Sequence, residues 1–254
     1  MRIVIKIGTS TLAHKTGKLN IRAFEELTKV ISNLKNSGIE VILVSSGAIG
    51  MGAGKIGLGA KPDDIPTKQA AAAVGQCELM YMYDKYFGEY HHTVAQMLLT
   101  ANDFEEQERH DNLTNTLARL LELQALPIVN ENDTVSTAEL GIGDNDTLSA
   151  LVAISAKADM LILLSDIDGL YTADPHKDST AKLISVVENV DDVAALGEGT
   201  GSAFGTGGMV TKLQAAKLVT DAGIDMIITN GARPALLYDI SEGKPVGTKF
   251  LRKK

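Results

Sequence analysis

Six short runs of β-branched and aliphatic residues recur along the chain without the polar alternation of a half-exposed strand. They are Ile3 to Ile7, Glu40 to Val44, Val94 to Leu99, Pro127 to Val129, Met160 to Leu164 and Ile224 to Thr229. A strand that is apolar on both faces must be covered on both, which points to an α/β fold with a largely parallel, buried sheet. Helical patterns fill the intervals. Asn20 to Ser37 places Ile21, Phe24, Leu27, Val30, Ile31 and Leu34 three and four residues apart and stops at Gly38, the pattern of an amphipathic helix with a glycine cap. Further helices are predicted over Thr67 to Tyr86, Arg109 to Gln124, Asp146 to Lys157, Met209 to Ala222 and Pro234 to Glu242. No internal repeat or Pro/Ser-rich linker interrupts the rhythm, so residues 1–254 are expected to form one domain, in two lobes of about 1–150 and 151–254. The glycine-rich stretches at 47–59 and 197–208 read as loops between elements.

Charge narrows the function. The chain carries 24 Lys and Arg against 32 Asp and Glu, a net charge of −8, so there is no basic field to hold a nucleic-acid backbone. Any phosphate bound here must be met by local groups. Cys77 is the only cysteine and cannot form an internal disulfide, which fits a reducing compartment. No apolar run approaches the roughly 18 residues of a membrane span, and Met1 to Gly8 reads as a strand rather than a signal peptide. A soluble cytoplasmic protein with no membrane and no nucleic-acid partner is expected.

Four polar clusters stand where strands give way to loops, the ligand-binding end of a parallel sheet. Lys6-Ile7-Gly8-Thr9-Ser10 puts a lysine inside an apolar strand. Buried, it needs an anion; on an edge strand, its stem could pack while its ammonium stays in water. Ser45-Ser46-Gly47-Ala48-Ile49-Gly50 offers small residues and backbone N–H groups to a carboxylate or phosphate. Asn130-Glu131-Asn132-Asp133 and Gly141-Ile142-Gly143-Asp144-Asn145-Asp146-Thr147 crowd acids and amides that a ligand amine would satisfy, although N-caps and turns are their commoner use. Ser165 to Pro175 and Gly205-Thr206-Gly207-Gly208-Met209-Val210-Thr211-Lys212 pair a strand end with a glycine-led helix start suited to phosphate. Lys212 in a first turn opposes the helix dipole, a local conflict of the kind functional sites carry.

Other motifs are weaker. Gly52-Ala53-Gly54-Lys55-Ile56-Gly57 has dinucleotide-fingerprint spacing but starts well after the strand, and it is no Walker A loop, so its glycines read as those of a mobile loop. Asp166-Ile167-Asp168-Gly169 lacks the remaining acids of a calcium loop. His91-His92 has no partner at metal spacing and reads as a solvated helix end.

In their order, Lys6-Ile-Gly-Thr-Ser, Ser46-Gly-Ala-Ile, Asn130-Glu-Asn-Asp, Gly143-Asp-Asn-Asp, Gly169-Leu-Tyr-Thr-Ala-Asp-Pro and Gly205-Thr-Gly-Gly-Met with Thr211-Lys-Leu-Gln-Ala-Ala resemble the amino acid kinase family over nearly the whole chain. Within it they are most similar to the members that phosphorylate the γ-carboxylate of L-glutamate with ATP, the first step of proline biosynthesis. The resemblance implies a three-layer αβα sandwich with a mainly parallel central sheet, its N-terminal lobe on the substrate side and its C-terminal lobe on the nucleotide side. It implies Lys6 and Lys212 as catalytic contacts to the transferring phosphoryl group, organised by Asp146. Ser46, Gly47, Ala48, Asn130, Asp133, Asp144 and Asn145 would line the glutamate site. Lys6, Gly8, Ser165, Asp166, Thr206, Gly207, Gly208, Met209, Val210, Thr211 and Lys212 would line the ATP site. Mg²⁺ is expected through the ATP phosphates with no direct protein ligand, proline as feedback inhibitor through the glutamate pocket and the loop around 50–66, and a homodimer or homotetramer as the assembly. Many members continue into a C-terminal PUA-type domain, which is not expected here. The open alternatives are a sister kinase acting on aspartate, acetylglutamate, carbamate or a nucleoside monophosphate, and a non-catalytic amino acid and nucleotide sensor. A dinucleotide-dependent oxidoreductase rests only on the Gly52 to Gly57 spacing.

Overall fold

Side chains alternate along a strand, so each buried strand deals its residues to two separate cores. The structure, a computed structural model, describes the chain except residues 15–17, 59–61, 136–144, 176, 198–207 and 254. Its strands are β1 Arg2–Ile7, β2 Glu40–Val44, β3 Val94–Leu99, β4 Leu126–Glu131, β5 Met160–Ser165, β6 Val186–Val187, β7 Asp225–Asn230 and β8 Thr248–Phe250. They form one sheet in the order β3-β4-β2-β1-β5-β7-β8-β6. Every pairing is parallel except that of β7 with β8.

The helices are α1 Thr9–Leu12, α2 Ile21–Asn36, α3 Ala48–Ile56, α4 Ile65–Gly88, α5 Asn102–Glu105, α6 Gln107–Glu122, α7 Asn145–Ser155, α8 Met209–Asp221 and α9 Leu236–Ser241, with a 3₁₀ helix at Val190–Gly197. Ile3, Ile5, Ile7, Leu43, Ile128 and Ile162 pack on one side against Phe24, Leu27 and Ile31 of α2, Tyr83 and Phe87 of α4 and Leu237 of α9. Val4, Ile42, Val44, Val129, Leu163 and Ile228 pack on the other against Leu117 of α6, Leu148 and Val152 of α7 and Leu213 and Ala216 of α8. The result is the expected three-layer αβα sandwich. Among the described residues no helix is long and apolar enough to cross a membrane.

The first glycine-rich stretch is not a loop. Gly47, at φ 104°, starts α3 and Gly57, at φ 76°, ends it. A Cβ on Gly52 would lie 1.8 Å from the Ala71 carbonyl oxygen, and one on Gly75 would lie 1.8 Å from that of Ala48. Glycine is poor in helices, yet here the approach of α3 to α4 admits nothing larger. Of the second stretch only Gly197, at the end of the 3₁₀ helix, and Gly208, before α8, are described; residues 198–207 lie outside the described residues. The short strands β6 and β8 were not legible in the pattern, being two and three residues long.

The chain leaves β1 for β2 on one side and returns to β5 on the other. Such a reversal opens a crevice at the carboxyl ends of the strands. The N-termini of α7 and α8 lie over it, carrying Asp146 and Lys212 against the end of β1.

Candidate active site

Lys6 follows Val4 by two residues and therefore faces the layer of α7 and α8. β1 lies between β2 and β5, so the edge-strand reading of this lysine fails. Its Nζ is 2.7 Å from Oδ1 of Asp146. Asp146 sits in the first turn of α7, where a carboxylate complements the helix dipole. Its Oδ2 is 3.2 Å from Lys212 Nζ and accepts a hydrogen bond from Thr211 Oγ1 at 2.9 Å. One carboxylate thus bridges two ammonium groups. All three side chains are enclosed: Asp146 is 0% exposed, Lys6 12% and Lys212 9%. Burial pushes the Asp146 carboxyl up, but Lys6, then Lys212 and the Thr211 hydroxyl, outweigh it and hold it below the ordinary carboxylate range. Among these three groups two ammonium groups face one carboxylate. Gly208 caps α8 and has no side chain to satisfy the first N–H groups of the helix, those of Met209 and Val210.

A second constellation lies beside the first. Asn145 Nδ2 donates to the Ser45 carbonyl at 2.8 Å, to Ser46 Oγ at 2.6 Å and to Asn130 Oδ1 at 3.1 Å. Asn130, at the end of β4 and 2% exposed, donates through Nδ2 to Gln76 Oε1 at 2.9 Å. Ser45 faces the opposite layer and shares a 2.8 Å hydrogen bond with Tyr83 of α4. Gly47 and Ala48 form the start of α3, and Asp133 is partly buried in the turn after β4. Asp144 lies outside the described residues. Gln76 did not emerge from the sequence. Its signal was there: a polar residue on the inward stripe Ala72, Gln76, Leu79, Tyr83 of α4.

On the other side of Lys6, Ser165 Oγ donates to Asp166 Oδ1 at 3.1 Å at the end of β5. A Cβ on Gly8 would be 3.8 Å from Lys6 Nζ. Gly208, Met209, Val210 and Thr211 lead into Lys212, while Thr206 and Gly207 lie outside the described residues. Asp168 Oδ1 accepts hydrogen bonds from Asn230 at 2.9 Å and Arg233 at 2.6 Å, partners three residues apart that the sequence did not single out. The Asn230 hydrogen bond, with Arg233 beside it, holds the Asp168 carboxyl below its ordinary range. Among the described residues no group of three or more His, Cys, Asp or Glu side chains could hold a metal ion. His91 is exposed after α4, whereas His92 is half-buried rather than solvated, and burial pushes its imidazole down.

The model of the amino acid kinase family matches residues 1–230. A glutamate 5-kinase of Clostridium perfringens is 52% identical, the match covering 100% of this chain and 96% of that one. A glutamate 5-kinase of Caldanaerobacter subterraneus subsp. tengcongensis is 51% identical over 100% of this chain and 68% of its own length. Among solved structures, the isopentenyl phosphate kinase of T. acidophilum in a product complex superposes with a TM-score of 0.69 at 18% identity, covering 98% of this chain and 100% of that one, a likeness of fold.

Proposed function

The chain belongs to the amino acid kinase family, and from that premise we propose that it transfers the γ-phosphoryl group of ATP to the side-chain carboxylate of L-glutamate, giving γ-glutamyl phosphate and ADP, the first step of proline biosynthesis. The observation that carries the chemistry is the Asp146 carboxylate holding Lys6 and Lys212 side by side. A glutamate side chain, with a pKa of about 4.3, is already ionised at neutral pH. It needs no general base, so catalysis reduces to alignment and stabilisation of charge on the phosphoryl oxygens.

In this reading Lys6 and Lys212 donate to those oxygens, and Asp146 fixes both ammonium groups without taking up a proton. The two ammonium groups and the α8 N–H groups favour an anion, and enclosure strengthens both. Gly8, Ser165, Asp166 and residues 206–212 line the nucleotide side. Ser46, Gly47, Ala48, Asn130, Asp133, Asp144 and Asn145 line the glutamate side, with the start of α3 supplying N–H donors to a carboxylate and the amides meeting the ammonium. Both Asp146 oxygens face lysines, so Mg²⁺ would be carried by the ATP phosphates, where it would supply further charge neutralisation. Proline as an inhibitor competing for the glutamate side, a homodimer or homotetramer and a cytoplasmic location complete the proposal.

The test is ATP turnover with Mg²⁺ across L-glutamate, L-aspartate, N-acetyl-L-glutamate and UMP, with hydroxylamine trapping any acyl phosphate. Hydroxamate from L-glutamate alone is expected. Turnover confined to another acceptor would move the chain to a different kinase activity, and no turnover with any would favour a sensor.

A further inference from the structure

A line of amides runs from the open face of the sheet edge to the acceptor pocket. Gln96 on β3 accepts through Oε1 from Gln76 Nε2 at 3.4 Å. Gln76 Oε1 accepts from Asn130 Nδ2, and Asn130 Oδ1 from Asn145 Nδ2. Backbone groups fix the direction of this line at two points. Asn145 Nδ2 faces the Ser45 carbonyl, which can only accept, and Asn130 Oδ1 faces the Glu131 N–H at 2.9 Å, which can only donate. Asn130 must therefore present its NH₂ to α4, and whatever stands there must accept. Gln76 does so from a position only 7% exposed.

Resting on the glutamate reading above, we infer that Gln76 is a positioning residue that sets acceptor specificity: it holds Asn130 so that Asn130 Oδ1 joins the Ser45 carbonyl and Ser46 Oγ in keeping the Asn145 NH₂ inside the protein and its Oδ1, an acceptor, towards the substrate. An amide oxygen recognises a donor, and the donor that separates glutamate from a plain dicarboxylate is its α-ammonium group. Without an acceptor at position 76, Asn130 Nδ2 is left buried without that partner, and the amide gains by swinging towards another acceptor, which draws its Oδ1 away from Asn145. Asn145 then loses one of the acceptors that hold its NH₂ group in place. The adjacent Gly75 seats α3 against α4, so a single helix registers both the α3 N-terminus and the amide line.

The experiment compares wild type, Gln76→Met, which keeps the unbranched shape without an acceptor, and Gln76→Glu, which keeps an oxygen towards Asn130 in either protonation state. Hydroxamate formation is measured with L-glutamate and with glutarate, its counterpart lacking the ammonium group. Gln76→Met is expected to raise KM for L-glutamate about tenfold, with KM for ATP unchanged, and to lower the kcat/KM preference for L-glutamate over glutarate by a similar factor. Gln76→Glu should restore both. The inference is overturned if Gln76→Met keeps the wild-type KM and preference, if KM for ATP rises in step, or if Gln76→Glu is no better than Gln76→Met. Gln76→Leu carries the same expectation should Gln76→Met not fold. Wild type that makes no hydroxamate from L-glutamate would instead overturn the functional reading and the inference with it, so the two failures are told apart by the wild-type assay.

Discussion

Asp146 is the residue on which the site's electrostatics turn. Asp146→Asn would remove the carboxylate that both Lys6 and Lys212 face, at a cost of about 3–5 kcal/mol of stability, measurable as a lower urea midpoint. Lys6→Ala or Lys212→Ala should each cut kcat by about 10² or more, as loss of a preorganised charge donor does; folded variants with wild-type turnover would refute the assignment. The Asp146 carboxyl is held below its ordinary range, so the unfolded chain takes up this proton at a higher pH than the folded one. Its contribution is complete above the unfolded value of about 3.9 and is lost as pH falls through the folded value below that. His92 works in a higher window. Burial lowers its imidazole, so below about pH 6.5 the unfolded chain gains a proton that the folded chain resists, and stability declines. Urea midpoints at pH 7.5, 5.5 and 3.5 should fall in both intervals, the lower fall shrinking in Asp146→Asn and the upper in His92→Gln.

At the scale of elements, α4 shows how context overrides propensity. Gly75 and Gly88 lie on the same helix, yet a Cβ at the first would meet backbone at 1.8 Å and at the second nothing within 4 Å. Gly75→Ala should destabilise by about 1–3 kcal/mol or more, as overpacking does, and raise KM for L-glutamate by displacing α3. Gly88→Ala should be neutral or stabilising by up to about 1 kcal/mol. A reversal of that order in denaturant titrations would refute the close-packing account. The sequence shows both glycines alike. Apolar runs made the six principal strands legible, and three-and-four spacing made α2, α4, α6, α7 and α8 legible, because burial on both faces and on one face leave different periods. Helix α3 was not legible, since its Gly52 answers to Ala71 and Gly75 on the next helix, 19 and 23 residues away in the chain.

The whole molecule is one continuous sheet across which the N-terminal and C-terminal halves meet at β1 and β5. We therefore expect a single calorimetric transition rather than one for each half. β8 closes the far side: Phe250 is fully buried, and Thr248 Oγ1 accepts the Leu170 N–H at 2.7 Å. Phe250→Ala should lower that transition by the equivalent of about 3–5 kcal/mol without splitting it; two resolved endotherms would instead separate the halves.

The order of motifs determined the family, and the strand periods the layers, because both are written in local residue types. Period two even placed Lys6 and Val4 on one face. The resemblance already implied that Asp146 serves Lys6 and Lys212; what tertiary structure alone decided is how they meet, one carboxylate oxygen to each ammonium group. Lys6 and Asp146 stand 140 residues apart in the chain and Asp146 and Lys212 66 apart, and no local pattern records that a strand end and two helix starts converge. Gln76 belongs to the same class, for its partner Asn130 lies 54 residues away. Hydrogen bonds and ion pairs act over about 3 Å of space whatever the separation in sequence, so the chain spells out its elements while the fold alone brings their polar ends together.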